Sequence, residues 1–297
     1  MTIPPHPTPD ELFFKSGLPG MDHMLQRLVQ GDNVVLKVGV IEDYIPFATA
    51  FYKQCLEDEI PLIYFRFARH REIVPEIDSV ERHTLHPELG FERFITEILD
   101  VIEQAGRGAC YVFDCLSELA VDWYSERMLG NFFMLTCPYL YRLDTIAYFA
   151  LLRNRHSSLA TDAITNTAQV VMDVYQNRGQ LYVHPLKVDG RYTRTMYFPH
   201  EWNRETGAFV PVQNSGIMSA ILTETEQPWL EFTINRPDIW MHTFQQAREA
   251  TEDPEEFDEK ETEELRQRLV RMALTREDEF ISLVNEYFGI EDVLKAG

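Results

Sequence analysis

Two groups of cationic side chains and three acids are the residues of this chain best suited to charge chemistry. Arg66, Arg69, His70 and Arg71 follow one apolar run, and Arg153, Asn154, Arg155 and His156 follow another. Guanidinium and imidazole groups clustered in this way bind a carboxylate, a phosphate or an acidic partner segment through charge-assisted hydrogen bonds. The alternative is internal: the same cations pair with Glu42, Asp43 and Asp114 and close a salt-bridge network. His83 and His86 are spaced as metal ligands, but no cysteine or acidic motif accompanies them, so a surface role is expected and no metal site. Ser117 lacks the Gly-x-Ser-x-Gly elbow, which argues against a hydrolase triad. Asp122-Trp123-Tyr124 and Trp202 read as packing residues rather than stacking platforms for bases.

The elements that would position these groups alternate. Val34–Val38, Pro61–Phe67, Ala109–Phe113, Thr145–Leu152 and Ala168–Tyr175 are apolar, β-rich runs, and Tyr44–Glu57, Gly90–Ala105 and Tyr124–Tyr141 have helical spacing. Strands apolar on both faces, separated by helices, predict an α/β fold with a mostly parallel sheet covered on both sides. Both cationic groups then fall at the carboxyl edge of that sheet, where such folds bind ligands. Gln180–Val188 and Thr193–Phe198, bridged by Asp189-Gly190, predict an antiparallel edge hairpin. Domain boundaries are expected at 1–13 (an N-terminal arm), 14–225 (the α/β domain) and 226–297. The last segment carries ten acids and one lysine between Glu249 and Glu264. Beyond it, Leu265, Leu269, Met272 and Ala273, then Phe280, Leu283, Val284, Tyr287 and Phe288, recur as two short amphipathic helices.

The 297 residues are 45% hydrophobic and 25% charged, ordinary for a globular protein, with a net charge of −21. So acidic a surface repels phosphate backbones and disfavours nucleic-acid partners. No apolar run approaches the ~20 residues needed to span a bilayer. The N-terminus lacks the basic and apolar regions of a signal peptide. Four scattered cysteines, none in Cys-x-x-Cys spacing, indicate buried thiols in a reducing cytoplasm.

The segment Ser16-Gly17-Leu18-Pro19-Gly20-Met21-Asp22, leading into Gly31-Asp32-Asn33-Val34-Val35-Leu36, resembles the approach to the first strand of RecA/KaiC-like ATPases. That resemblance implies a P-loop NTPase fold over roughly residues 14–200. It also implies a glycine-rich loop whose backbone N–H groups close on phosphates, a lysine on the β/γ-phosphates and a hydroxyl on Mg²⁺. Aligned without gaps, Gly39 meets the first glycine, while Glu42 and Tyr44 meet the other two. Ile45 meets the lysine and Pro46 the hydroxyl, and no lysine lies between Lys37 and Lys53. Glu42 and Asp43 place negative charge where a triphosphate would sit. ATP and Mg²⁺ are therefore not expected as cofactors. Ala109–Asp114 resembles the Walker B strand, with Asp114 at its end. The second strand, which in those ATPases ends in the acids that activate water, here runs into Arg66 and Arg69. Ile146–Arg155 resembles the sensor strand. Lys187 and Arg191 resemble the hairpin cations that reach a neighbour's nucleotide in KaiC-like rings. A ring, a dimer and a monomer all stay open.

Gly31–Val35, Ile41–Phe47, Tyr64–His70, Tyr111–Ser117 and Arg127–Phe133 together resemble the N-terminal region of bacterial phosphoenolpyruvate synthase or pyruvate phosphate dikinase-like proteins. There, a degenerate KaiC-like domain precedes an ATP-grasp region. The resemblance implies a non-catalytic pseudo-ATPase module for regulation, scaffolding or assembly. Its partners would be ATP-grasp and phosphohistidine domains, in cis or in trans. Two other readings stand beside it: part of an active phosphotransferase with its chemistry outside this chain, and a small-anion sensor. None of that family's catalytic residues falls in these 297.

Overall fold

The computed structural model describes residues 13–223. The acidic run, the two amphipathic segments and the N-terminal arm up to residue 12 lie outside the described residues. A two-stranded ribbon, β1 (Phe13–Phe14) and β2 (Leu28–Val29), brackets α1 (Pro19–Leu25). It leads into β3 (Asn33–Val38), α2 (Ile41–Glu57), β4 (Leu62–Arg66), β5 (Val80–Thr84), α3 (Phe91–Ala105) and β6 (Cys110–Cys115). Then follow α4 (Ser117–Asp122), α5 (Glu126–Arg142), β7 (Ile146–Leu152), α6 (Ser158–Thr167), β8 (Val170–Asn177), β9 (Gln180–Val188), β10 (His200–Trp202), β11 (Phe209–Pro211) and α7 (Ser215–Thr223).

Nine of these strands form one sheet in the order β11-β10-β9-β8-β3-β7-β6-β4-β5. The six from β8 to β5 are parallel, and β9, β10 and β11 extend them antiparallel. The mostly parallel α/β architecture is therefore as expected. Side chains alternate across a strand, so each strand feeds two cores. Val34, Leu36 and Val38 meet the α2 face, where Tyr44, Phe47, Ala48 and Phe51 recur at helical spacing. Val35 joins the opposite core, with Phe132, Phe133 and Leu140 of α5 and Phe94 and Ile98 of α3. The Phe51 ring stacks on Tyr148 with centroids 4.1 Å apart, which ties α2 to β7. All four cysteines are buried and free. Among the described residues no helix is long and apolar enough to cross a membrane.

The edge hairpin differs from its expected position. It joins β8 to β9 through Arg178-Gly179, both at positive φ (53° and 81°), the geometry of a two-residue type I′ turn. After Gly190 the chain does not return as a strand over 193–198. It folds into turns, with Met196 N–H donating to Thr193 O and Phe198 N–H to Thr195 O. The next neighbour of β9 is β10. The cause is Arg191, whose guanidinium is drawn to Asp32 at the start of β3 and carries the chain away from β9.

Candidate functional site

The carboxyl edge of β3 is where a phosphate loop would emerge. Only Gly39 and Val40 separate the strand from α2, which begins at Ile41. Residues that would form the loop are already helical. Asp43 N–H donates to Val40 O in the first turn, and Tyr44 is fully buried in the core. Ile45 packs half-buried against the same core. Pro46 lies inside the helix, where it gives no N–H to the Glu42 carbonyl. The positive end of the helix dipole, used by phosphate-binding folds for their anion, here carries Glu42 and Asp43 in its first turn. Glu42 is exposed, whereas Asp43 is buried. Burial pushes the Asp43 carboxyl above its usual range, against the attraction of Arg153 and Arg204.

Arg153 comes from the end of β7 and takes the space beside Gly39. Its N–H donates to Val38 O at 2.8 Å, joining the ends of β7 and β3. The side chain is only 9% exposed. The guanidinium carbon lies 4.1 Å from the centroid of the Tyr175 ring. A methyl group at Gly39 would stand 3.5 Å from Arg153 Nη2 and 4.0 Å from Asp43 Oδ2, so the two side chains flank one small space. Arg153 Nε and Nη1 have no hydrogen-bond partner. Below them, Lys37 Nζ lies 3.7 Å from Asp173 Oδ1, and Tyr175 O–H donates to Asp173 Oδ2 at 2.9 Å. His184, opposite Asp173 on β9, is held below the usual imidazole range by burial.

A second cluster centres on Asp114, which is fully buried. Oδ1 accepts from Tyr64 O–H at 2.5 Å. Oδ2 accepts from Arg66 Nη1 at 2.6 Å and from the backbone N–H groups of Phe67 and Ala68, both at 2.9 Å. His70 Nε2 stands 3.8 Å from Oδ1 and accepts the Cys115 N–H. Arg66 Nη2 also donates to the His70 carbonyl. Burial and the neighbouring Asp114 charge together raise the Tyr64 hydroxyl well above the usual phenol range. The carboxylate lone pairs that would hold Mg²⁺ are thus directed at protein donors. With the β3–α2 loop reduced to two residues, the groups present do not fit a magnesium triphosphate.

The cations named from sequence separate into different settings. Arg66 and His70 meet Asp114, while Arg153 and Asp43 flank Gly39 from opposite sides. Arg69 instead points out to Asp122 at 2.8 Å. Arg155 lies half-buried in the turn after β7, where Asn154 reverses the chain at φ 53°. Lys187 Nζ donates to the carbonyls of Thr165 and Asn166 at the end of α6. Arg191 donates from both terminal nitrogens to the two oxygens of Asp32 and also to the Arg27 carbonyl. Its side chain is 6% exposed. The residue expected to reach a neighbouring subunit is bonded within its own chain. His83 and His86 lie in partly exposed positions against Glu81 and Glu88.

Lys37, Asp173, Tyr175 and His184 were not singled out from sequence, because only the register of β3, β8 and β9 brings them to Arg153. A Ser117–His156–Glu126 chain was missed as well. His156 Nε2 is 2.7 Å from Ser117 Oγ, and Nδ1 is 3.6 Å from Glu126 Oε1, an ion-pair rather than a hydrogen-bond distance. Its exposure runs opposite to that of a working triad: the serine is buried and accepts Leu152 N–H, and the carboxylate faces solvent. The arrangement ties β6, α5 and β7 together.

No protein-family model and no curated protein matches the chain. Among solved structures it superposes on a KaiC-like protein from the hyperthermophilic archaeon Pyrococcus horikoshii OT3. The TM-score is 0.50 at 16% identity, over 67% of this chain and 98% of that one. The fold is that of a KaiC-like RecA domain. At that identity the likeness speaks for the fold, and the site must be judged on its own residues.

Proposed function

We propose that this chain is a RecA-fold domain without nucleotide hydrolysis, acting as a regulatory, scaffolding or assembly module of a phosphoenolpyruvate-synthase-like phosphotransferase system. The observation that supports it is the start of α2 at Ile41, two residues after β3. A triphosphate needs a glycine-rich loop there, and it finds a helical turn carrying Glu42 and Asp43. Each like-charge contact at about 4 Å costs about 4 kcal/mol at an effective dielectric near 20, and no lysine offsets it. The Asp114 cluster supports the same reading, since Arg66 takes the carboxylate that a Mg²⁺ site would need. The link to a phosphotransferase rests on the resemblance of segments such as Tyr64–His70 and Tyr111–Ser117 to the N-terminal region of those proteins. On that reading, the phosphoryl chemistry belongs to ATP-grasp and phosphohistidine domains outside these residues.

Calorimetric titration of the full chain with ATP and Mg²⁺ tests the proposal. No saturable heat is expected at millimolar nucleotide. Binding in the micromolar range would overturn it.

A further inference from the structure

Cys55 and Cys110 are far apart in the chain and meet in the core. Cys55 lies in the last turn of α2, and Cys110 is the first residue of β6. The α2–β4 connection fastens one to the other. Ile60 N–H donates to the Cys55 carbonyl at 2.9 Å, and Cys110 N–H donates to the carbonyl of the next residue, Pro61, at 2.8 Å. Both side chains belong to the core layer that α2 packs onto the sheet, at 2% and 0% exposure. Their thiols are in hydrogen-bonding contact, and that contact, with burial second, holds the Cys110 thiol well above its usual range. The other two cysteines have no thiol beside them. Burial alone raises the Cys137 thiol. Cys115, pushed up to about 12 chiefly by burial, has Ser117 as its hydrogen-bonding neighbour.

Two thiols in contact can become a disulfide only if an oxidant reaches one of them. The end of α2 supplies the route. The helix closes with Glu59 N–H on the Leu56 carbonyl and Ile60 N–H on the Cys55 carbonyl, the paired bonds that end many helices. The residue in the left-handed position of such a closure is usually glycine. Here it is Glu59, at φ 54°, and a residue with a Cβ is strained in that conformation. Glu57, Asp58 and Glu59 are all exposed. A strained, solvated helix end opens locally without unfolding of the whole domain. Its opening breaks the Ile60–Cys55 bond and lets the Cys55 thiol reach solvent.

We infer that Cys55 and Cys110 form a redox-sensitive latch, which closes as an intramolecular disulfide between the end of α2 and the start of β6. The latch goes beyond the proposed function and is independent of it. Its oxidant is a small-molecule disulfide such as oxidised glutathione. Cys55, the thiol on the side that opens, loses its proton to solvent, and its thiolate attacks one sulfur of the glutathione disulfide. A mixed disulfide forms, and one glutathione leaves as a thiolate that takes up a proton. Cys110 is then deprotonated, and its sulfur attacks Cys55 Sγ and releases the second glutathione. Two protein thiols are oxidised to one disulfide, and one glutathione disulfide is reduced to two thiols. Each step needs a thiolate, so closure is slow at neutral pH and faster as the pH rises. The bond joins residues 55 and 110 into one loop, which restricts the unfolded chain and so stabilises the folded one.

The test equilibrates the full chain with reduced and oxidised glutathione, then quenches it with acid, alkylates it and maps it by tryptic mass spectrometry. It is run from the native protein and, separately, from the reduced, urea-unfolded chain diluted into the same redox buffer. The second route gives the thiols free access, so slow opening of α2 does not mask the result. Peptides 54–66 and 108–127 should be found joined, with fragmentation placing the bond on Cys110 rather than Cys115 and with Cys137 alkylated. The melting temperature should rise by about 5–10 °C on oxidation and fall back on reduction. Cys55→Ala and Cys110→Ala should each abolish the bond and the shift, and Cys137→Ala should retain both. Absence of the Cys55–Cys110 bond from both starting points, a bond between another pair in its place, or a melting temperature that does not rise on oxidation would overturn the inference.

Discussion

Asp114→Asn separates a structural carboxylate from one kept for a metal. Asp114 accepts from the Tyr64 hydroxyl, the Arg66 guanidinium and two backbone N–H groups, all within 2.9 Å, and it has no exposure to solvent. Asparagine keeps one acceptor oxygen and turns an NH₂ toward donors. At least one of the four donors loses its acceptor, and Arg66, itself largely buried, loses its counter-charge. Breaking a buried ion pair from one side costs about 3–5 kcal/mol. Counting bonds sets the lower limit: hydrogen bonds to a charged group contribute about 1.5–3 kcal/mol each, at least one of the four is lost, and the others no longer end on a charge. The expected loss is about 4 kcal/mol out of a total stability of about 5–15 kcal/mol for a typical domain. Urea unfolding followed by tryptophan fluorescence measures it. Tyr64→Phe is the milder companion, expected to cost about 2 kcal/mol, because the same hydroxyl also accepts the Ile73 N–H at 3.2 Å. A carboxylate held in place for a cation behaves in the opposite way, since neutralising it relieves repulsion and stabilises the protein. A loss below about 1 kcal/mol for Asp114→Asn, or a gain, would refute the structural role.

Two further outcomes follow from the other buried and half-buried ion pairs. Arg191→Met should destabilise the protein by about 3–5 kcal/mol, by leaving Asp32 buried without its partner, and should not change the mass measured by light scattering. A shift in oligomeric state with little loss of stability would instead place Arg191 at an interface. Glu126 is affected first by burial, which raises its pKa, and then more strongly by His156 and Ser157, which bring it down to about 2 from the usual 4.5. A carboxyl with a lowered folded pKa stabilises the protein above pH 4.5, and that contribution disappears as the pH falls through about 2. Glu126 is 41% exposed, so the effect is screened to under about 1 kcal/mol. Melting temperatures recorded from pH 2 to 7 should show a shallower acid limb in Glu126→Gln.

The parallel sheet was legible because strands buried on both faces leave continuous apolar runs. Ile146–Leu152, every residue of it buried, is the clearest case. β5 was not legible. Val80-Glu81-Arg82-His83-Thr84 is an edge strand with only Val80 buried, and its polar side chains read as surface. α6 was missed for a different reason. Its Ser, Thr, Asp and Asn residues are weak helix formers, and the helix is held by packing against α5. There, Gly130 brings the backbones so close that a methyl would stand 3.2 Å from the Ala163 Cβ. That Glu42, Ile45 and Pro46 do not match a phosphate-loop pattern could be read residue by residue. That the backbone is helical from Ile41 onward could not, because Ile41-Glu42-Asp43-Tyr44 is compatible with either conformation. The setting of Arg153 depends on the register of three strands, and a linear pattern carries no trace of it.

The early start of α2 bears on how this domain can change over evolution. Ile45→Lys would place a lysine where ATPases of this fold carry one, but at a helical position packed against the core. Its ammonium would enter an apolar layer rather than face a phosphate. A phosphate loop here would require the first turn of α2 to unwind and Tyr44 to leave its fully buried position. Each of these steps is unfavourable without the other, so no single substitution builds such a loop. A sequence with a phosphate loop at this place is separated from this one by a valley of less stable intermediates, so substitution one residue at a time keeps the edge of β3 closed.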